Sequence, residues 1–552
     1  MTEIQWPADC GPSERWTIYT RGNIGEIYPD VVLPLEWELG GRAAEQGWRT
    51  GAETIGFTRP EDYGPGDFVM MGVFGGYAYF NASMMRLLGV RTPGLDAEMM
   101  DAQFLGASEV APYVGQPGDK SLRATAKVVG VAARTLMAKR VPLLEEMRHA
   151  VDAYRAQAPA MDASDDQLWG YLKGGLAELW EYAIASHVTI SMQATIASGT
   201  LTDLCEKKLG DPNLAIALTT GIGDVVSAQP AIDMWRLANE VPDDDVEPGF
   251  ADFLQRHGHR GPNEFSLVGR DWAAFPELAR VAIDGMRGLD GSRSPHAQSV
   301  RLAQERERQL SDARGRLGLQ ARRLDRALAS TALWSRAREE SKNQVIRLIQ
   351  LPRHAFLELL RRAATNGGVS DRQGPLLLNE DEFLRYLADP SALVATIERR
   401  RDDYRQLVAL EPPFAFDAAL GVPPPSTWRS RPTGPDAAAD RPICPPGTVL
   451  RGAAGAPGIA RGRARIVTDP GDPRDVGPGD VLVAALTDPA WTPLFVPAAA
   501  VVVEVGAAMS HSMIVARELG VPCVVGVENA TQRIPDGAEV EVDGQAGTVR
   551  VL

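Results

Sequence analysis

Cysteine is scarce in this chain: Cys10, Cys205, Cys444 and Cys523 are the only four in 552 residues, and none stands in a CxxC or other metal-ligand spacing. That pattern speaks against a thiolate metal centre and for a reduced compartment. Positive charge is in deficit as well. Against 57 Lys and Arg stand 72 Asp and Glu, for a formal charge of −15 and a pI near 5.1. Neither nucleic acid nor an anionic membrane surface is then expected as the main partner. No apolar run approaches the roughly 18 residues of a membrane-spanning helix. The opening stretch MTEIQWPADCGPSERWTIYT has neither the basic nor the apolar region of a signal peptide. A cytoplasmic enzyme of two or more domains is the expected class.

Three textures follow one another along the chain. Residues 1–120 are mixed and rich in glycine, proline and aromatics, and helical signals dominate from about 120 to 410. SDDQLW, from Ser164, is a capping box with Gln167 three residues on, and Leu168, Leu172 and Leu176 form an i, i+4 stripe. Residues 297–350, rich in Arg, Glu, Gln, Ala and Leu, predict long helices in a hairpin. Proline, alanine and glycine crowd residues 411–447, which read as a linker. Beyond it, ARIV, DVLVAAL, AVVVEV, CVVGV, AEVEV and GTVRVL read as short strands of a small domain over 448–552.

Histidine is rare too, with seven in the chain, and one lies in GAAMSHSMIVARELGVPCVVG. The spacing predicts a strand at VVVEV, a small-residue turn, a helix from Ser510, and a stop at Gly520 and Pro522. His511 then sits at a helix N-terminus, where unpaired N–H groups favour an anion and disfavour an imidazolium. A neutral ring beside donors for a phosphate is a phosphohistidine site in outline. A capping or core histidine is the plainer alternative.

GAPGIARGRARIV, GPGDVLVAALTDPAWTPLF and the histidine stretch, in that order, resemble the swivelling phosphohistidine domain of the phosphoenolpyruvate synthase and pyruvate phosphate dikinase superfamily. The resemblance makes His511 the phosphoryl carrier, with Ser510, Thr487 and Asp488 orienting its ring or binding its phosphate. One departure is Ala507, where paired glycines are usual. WTIYTRGNIGEIYPDVVLPLEW, FGGYAYFNASMMRLLGV, FLQRHGHRGPNEFSL and SRAREESKNQVIRL resemble, more loosely, the substrate domain of rifampicin phosphotransferase and related dikinases, with Leu33 where a threonine is common. The implied fold is α+β and multidomain: a largely helical substrate-binding domain over 1–410, then a small swivelling β/β/α domain. Since this substrate-domain resemblance begins by Trp16, no ATP-grasp domain is expected ahead of it. Phenylphosphate synthase and similar aryl phosphotransferases divide these parts between subunits.

Two further motifs carry candidate chemistry. In RAREESK, Arg338 and Lys342 lie four apart, on one face of a helix, beside Glu339. Like charges so placed cost about 0.2–0.5 kcal/mol unless an anion lies between them, and a phosphoryl group in transfer is such an anion. A solvated face with Glu339 paired to Lys342 is the alternative. In GHRGPNE, His259 or Glu264 can take a hydroxyl proton and Arg260 can bind phosphate, or Arg260 and Glu264 simply staple the loop. His187, among apolar neighbours, reads as a core histidine. Phe74, Tyr77, Tyr79 and Phe80 can line a pocket for a planar substrate or pack a core.

The resulting expectation is a two-step transfer. A separate ATP-grasp subunit, holding ATP and magnesium, phosphorylates His511, and the C-terminal domain delivers the group to an organic hydroxyl, preferably aromatic. No metal site or tightly bound cofactor is expected in this chain. A phosphotransferase for an antibiotic or other metabolite, and a non-catalytic phosphocarrier or regulatory scaffold, are the alternatives.

Overall fold

The computed structural model describes the chain apart from residues 1–3, 23, 65, 67, 106–109, 212, 222–225, 432–442, 468–475, 488–490 and 505–510, and apart from the side chains of 26, 102, 103, 243, 292 and 511. The spine is one helix of 45 residues, Ala321–Thr365, made mostly of strong helix formers. It lies along Trp180–Leu204, with Pro142–Arg155 and Asp165–Gly174 beside it. The predicted hairpin is there: Pro295–Leu317 turns back at Gly318, which takes φ 55°, and Arg314 Nε meets Asp325 Oδ1 at 2.8 Å across the turn. The capping box is formed, Gln167 N–H donating to Ser164 Oγ and Ser164 N–H to the Gln167 side chain. Leu168, Leu172 and Leu176 are buried as their spacing requires.

The N-terminal sheet corrects the expected linker. Its four strands run in the order Met71–Phe74, Tyr77–Asn81, Ile18–Thr20, Ala415–Asp417. The last comes from the proline-rich stretch and pairs antiparallel with the third, Tyr19 opposite Phe416. Prolines 412 and 413 stop just short of this edge strand, where proline is tolerated. The Tyr79 hydroxyl donates to the Pro413 carbonyl at 2.9 Å, and Trp428 packs on Tyr77 with ring centroids 5.8 Å apart. Residues 411–431 therefore belong to the body. Of the rest of the expected linker, residues 432–442 lie outside the described residues, and 443–447 join the C-terminal domain, Cys444 N–H donating to the Arg533 carbonyl at 2.9 Å. Phe74, Tyr77, Tyr79 and Phe80 are buried with Tyr19 and Phe416, so they fill this core.

In the C-terminal domain all six expected runs are strands, in one eight-stranded sheet ordered Val449–Arg451, Thr548–Val551, Glu539–Asp543, Ile459–Ile466, Val481–Ala484, Ala500–Val503, Cys523–Val525, Ala453–Ala456. The four strands from Ile459–Ile466 to Cys523–Val525 are parallel to their neighbours in that stretch. Such strands are covered on both faces, which is why they read as unbroken valine runs. The pleat divides them: Val481, Val483, Val502 and Val524 face one cluster, while Leu482, Ala484, Val501, Val503 and Val525 face another. That second face is covered by the helix His511–Leu519 and, in the same cluster, by Trp235, Phe253, Trp272 and Ile283 of the body. Among the described residues no helix is long and apolar enough to cross a membrane.

Candidate functional site

The long helix brings the two separate motifs together. Arg338, Glu339 and Lys342 occupy one turn, and Asn343 on the next residue meets the GHRGPNE loop. That loop follows the helix Asp243–His257, and Gly261 at φ 155° lets it approach closely: a Cβ there would stand 2.2 Å from the Arg270 carbonyl oxygen. His259 Nε2 lies 2.7 Å from Asn343 Oδ1, which also accepts from Arg260 at 3.3 Å. With Oδ1 as acceptor, Nε2 carries the proton and the lone pair is on Nδ1. Burial first, then the Arg260 charge, hold the His259 pKa well below the usual histidine value. The ring is therefore neutral, as a proton acceptor must be.

Arg260 and Glu264 are buried and paired at 2.9 Å, which is the loop staple. Each also has an atom to spare: Arg260 Nη2 and Glu264 Oε1 are buried without a hydrogen-bond partner among the described residues. Buried polar atoms are normally satisfied, so an orphaned donor and acceptor in one pair mark a place for water or a ligand. Behind the loop, Arg353 is fully buried, paired to Asp271 at 3.2 Å and donating to the Glu264 carbonyl at 2.6 Å. The loop is thus anchored to the same helix that carries RAREESK.

Glu339 and Lys342 make other contacts than the pair that the solvated-face alternative called for. Glu339 is buried, accepts a hydrogen bond from the Ser227 hydroxyl and pairs with Arg338 at 3.4 Å, so it orients the arginine. Lys342 Nζ stands 5.9 Å from the Phe265 ring centroid, one residue beyond Glu264. His187 is the satisfied interior histidine that its apolar neighbours suggested, but its partner comes from the RAREESK turn. It sits in the helix Trp180–Leu204 with Nδ1 2.8 Å from Ser341 Oγ, against the RAREESK turn. Burial, then the charges of Arg338 and Lys342, push its pKa down to about 3. Arg338 and Lys342, four residues apart on the long helix, lie on one face of it.

In the C-terminal domain the helix His511–Leu519 occupies the predicted stretch, and its expected first residue lies outside the described residues. The His511 side chain, Ser510 and Asp488 lie outside the described residues. Thr487 is described: its hydroxyl is buried without a partner among the described residues, which suits a ligand to a phosphate better than a turn.

Comparison with known proteins bears on both halves. Residues 476–547 match the PEP-utilising enzyme, mobile domain, and residues 186–339 match the rifampicin phosphotransferase fourth domain. A rifampicin phosphotransferase from a Streptomyces species is 30% identical over 388 residues, 64% of this chain and 43% of that protein. An uncharacterised protein of Mycobacterium tuberculosis is 34% identical over 333 residues, 59% of this chain and 33% of that one. A prodigiosin synthesizing transferase of Serratia marcescens is 32% identical over 308 residues, 54% and 33% respectively. The chain spans less than half the length of these curated relatives. The first match contains His511 and Thr487, and the second runs from beside His187 to Glu339.

Proposed function

We propose that this chain is the substrate-binding and phosphohistidine component of a phosphotransferase that phosphorylates an organic hydroxyl. ATP would be handled by an ATP-grasp partner that loads His511, with release of AMP and inorganic phosphate; magnesium belongs with the nucleotide there. In the second step the N–P bond of phosphohistidine breaks and an O–P bond to the acceptor forms. The hydroxyl proton goes to His259 Nδ1 or Glu264, and the leaving imidazole nitrogen of His511 takes a proton, so one proton moves overall from acceptor to carrier. Arg338 and Lys342 would hold the phosphoryl oxygens as charge redistributes. A phenolic hydroxyl is the preferred acceptor, on the likeness to subunit-split aryl phosphotransferases.

The observation that carries this reading is that one helix presents Arg338 and Lys342, four residues apart, and Asn343, whose Oδ1 holds His259 at 2.7 Å. It stands in a chain with a PEP-utilising mobile domain match around His511. The test mixes the chain with its ATP-grasp partner, magnesium and ATP labelled at each phosphate in turn. An acid-labile, alkali-stable label on this chain that disappears in His511→Ala is expected. No label, or label surviving the substitution, would sink the mechanism.

A further inference from the structure

Next to His259, on the neighbouring face of the long helix, lies a cavity of about 470 Å³. Its walls come from the end of the helix Pro142–Arg155, the end of Asp243–His257, His259 itself and residues 340–351 of the long helix. Small-molecule sites of this volume are usually mainly apolar. This one is not: Leu254 and Leu351 are its only apolar lining residues among the described residues.

Its charges are unequal. Arg155, Arg256 and Arg347 face Glu340 as the one carboxylate of the lining. Glu340 is already met by Arg148 at 3.1 Å and by the Gln344 amide at 2.6 Å. Arg256 is held by Asp233 and Asp252, and Arg347 by Asp152 at 2.8 Å. Arg155 differs. Its guanidinium donates to two neutral acceptors, the Arg347 carbonyl at 2.5 Å and Gln350 Oε1 at 3.0 Å, and no carboxylate pairs with it among the described residues. Burial, then the facing Arg347, hold its pKa below the usual arginine value. A cavity wall with a half-buried, fork-shaped cation on neutral partners is complementary to a planar oxyanion.

We infer that this cavity binds the carboxylate or phosphate end of the acceptor through Arg155, with the charge of Arg347 beside it, so that the acceptor is a hydroxylated anion, of the hydroxybenzoate kind, rather than a neutral phenol or alcohol. The inference rests on the phosphotransfer reading only in naming the ligand an acceptor. His259, the candidate base, lines the same cavity, so a molecule anchored by its anionic end there is held beside the group that takes its proton.

Calorimetric titration of the full, unphosphorylated chain with 4-hydroxybenzoate, phenol and inorganic phosphate tests it. Wild type should bind 4-hydroxybenzoate at least about tenfold more tightly than phenol, the order expected of a charge-assisted contact. Arg155→Gln and Arg347→Gln, each checked for an unchanged circular dichroism spectrum, should remove that preference. Displacement of hydroxybenzoate by phosphate marks a site for either oxyanion; failure to displace it, with the preference intact, assigns the site to carboxylates. Equal affinity for hydroxybenzoate and phenol in wild type overturns the inference, even if both variants fail to fold, and so does a preference that survives in both variants. Because binding needs no phosphohistidine, His511→Ala should bind as wild type does. Failure of this inference is thereby separate from failure of the transfer mechanism.

Discussion

The body and the C-terminal domain treat buried polarity in opposite ways. The body buries His259, Arg260, Glu264, Glu339, Asn343, Arg353 and Asp271 within one region around the long helix. The C-terminal sheet has a core made mostly of valine and alanine with few buried polar groups, and among the described residues Thr487 carries a buried hydroxyl without a partner. Buried ionic groups are expensive unless mutually satisfied, so a network of them is retained where preorganised charge has a use. An apolar parallel sheet costs little and is stiff, which suits a carrier presenting one reactive ring. On the proposed reading, specificity and transition-state stabilisation fall to the body, and transport to the sheet.

The largest expected effect falls on the body's cations. Arg338→Met or Lys342→Met should slow transfer to the acceptor by about 10²–10³-fold, the range for losing one oxyanion-stabilising donor. The label on His511 should form at the wild-type rate in both. Single-turnover experiments separate the steps; a variant that lost labelling and transfer equally would erase the proposed division of labour.

Next comes the ionic anchor. Arg353→Met leaves Asp271 buried and short of its arginine partner, with His354 still 2.9 Å away. Breaking such a pair costs about 3–5 kcal/mol. Urea unfolding should show the loss as a lower midpoint than wild type; an unchanged midpoint would mean that the pair does not anchor the loop.

The third effect is on pH dependence. Folding lowers the His187 pKa from 6.5 to about 3, so between those values the unfolded chain binds a proton that the folded chain does not. Its contribution is full above pH 6.5 and is lost as pH falls toward 3. His187→Gln should therefore flatten the decline of stability relative to wild type across that window. Parallel curves for the two proteins would show that the ring is not held neutral by its surroundings.

How much of this was legible depends on the range of the interactions. The C-terminal strands could be read because each carries its own valine run and the helix its own stop at Gly520. The proline-rich stretch was misread because its prolines act locally while the pairing of Phe416 with Tyr19 spans almost four hundred residues. RAREESK and GHRGPNE each suggested chemistry, but their junction at Asn343 joins residues 84 apart. His187 read as core for the same reason: its neighbours in sequence are apolar, and its partner Ser341 lies 154 residues away. Arg155 and Arg347, on amphipathic helices, look like any solvated face until the cavity between them is seen.

The smallest expected effect tests the carrier half of the comparison. Ile534 is 2% exposed, on the face of the sheet turned away from the body, among Val527, Val540 and Val542. Ile534→Val removes one methylene and should cost about 0.5–1.5 kcal/mol. If the sheet is only a stiff support, that cost appears as a lower melting temperature of the C-terminal domain, with unchanged labelling of His511 and unchanged transfer. A loss of transfer rate at temperatures well below melting would mean that packing beneath the sheet positions the histidine. The division between a chemical body and a passive carrier would then fail on the carrier's side.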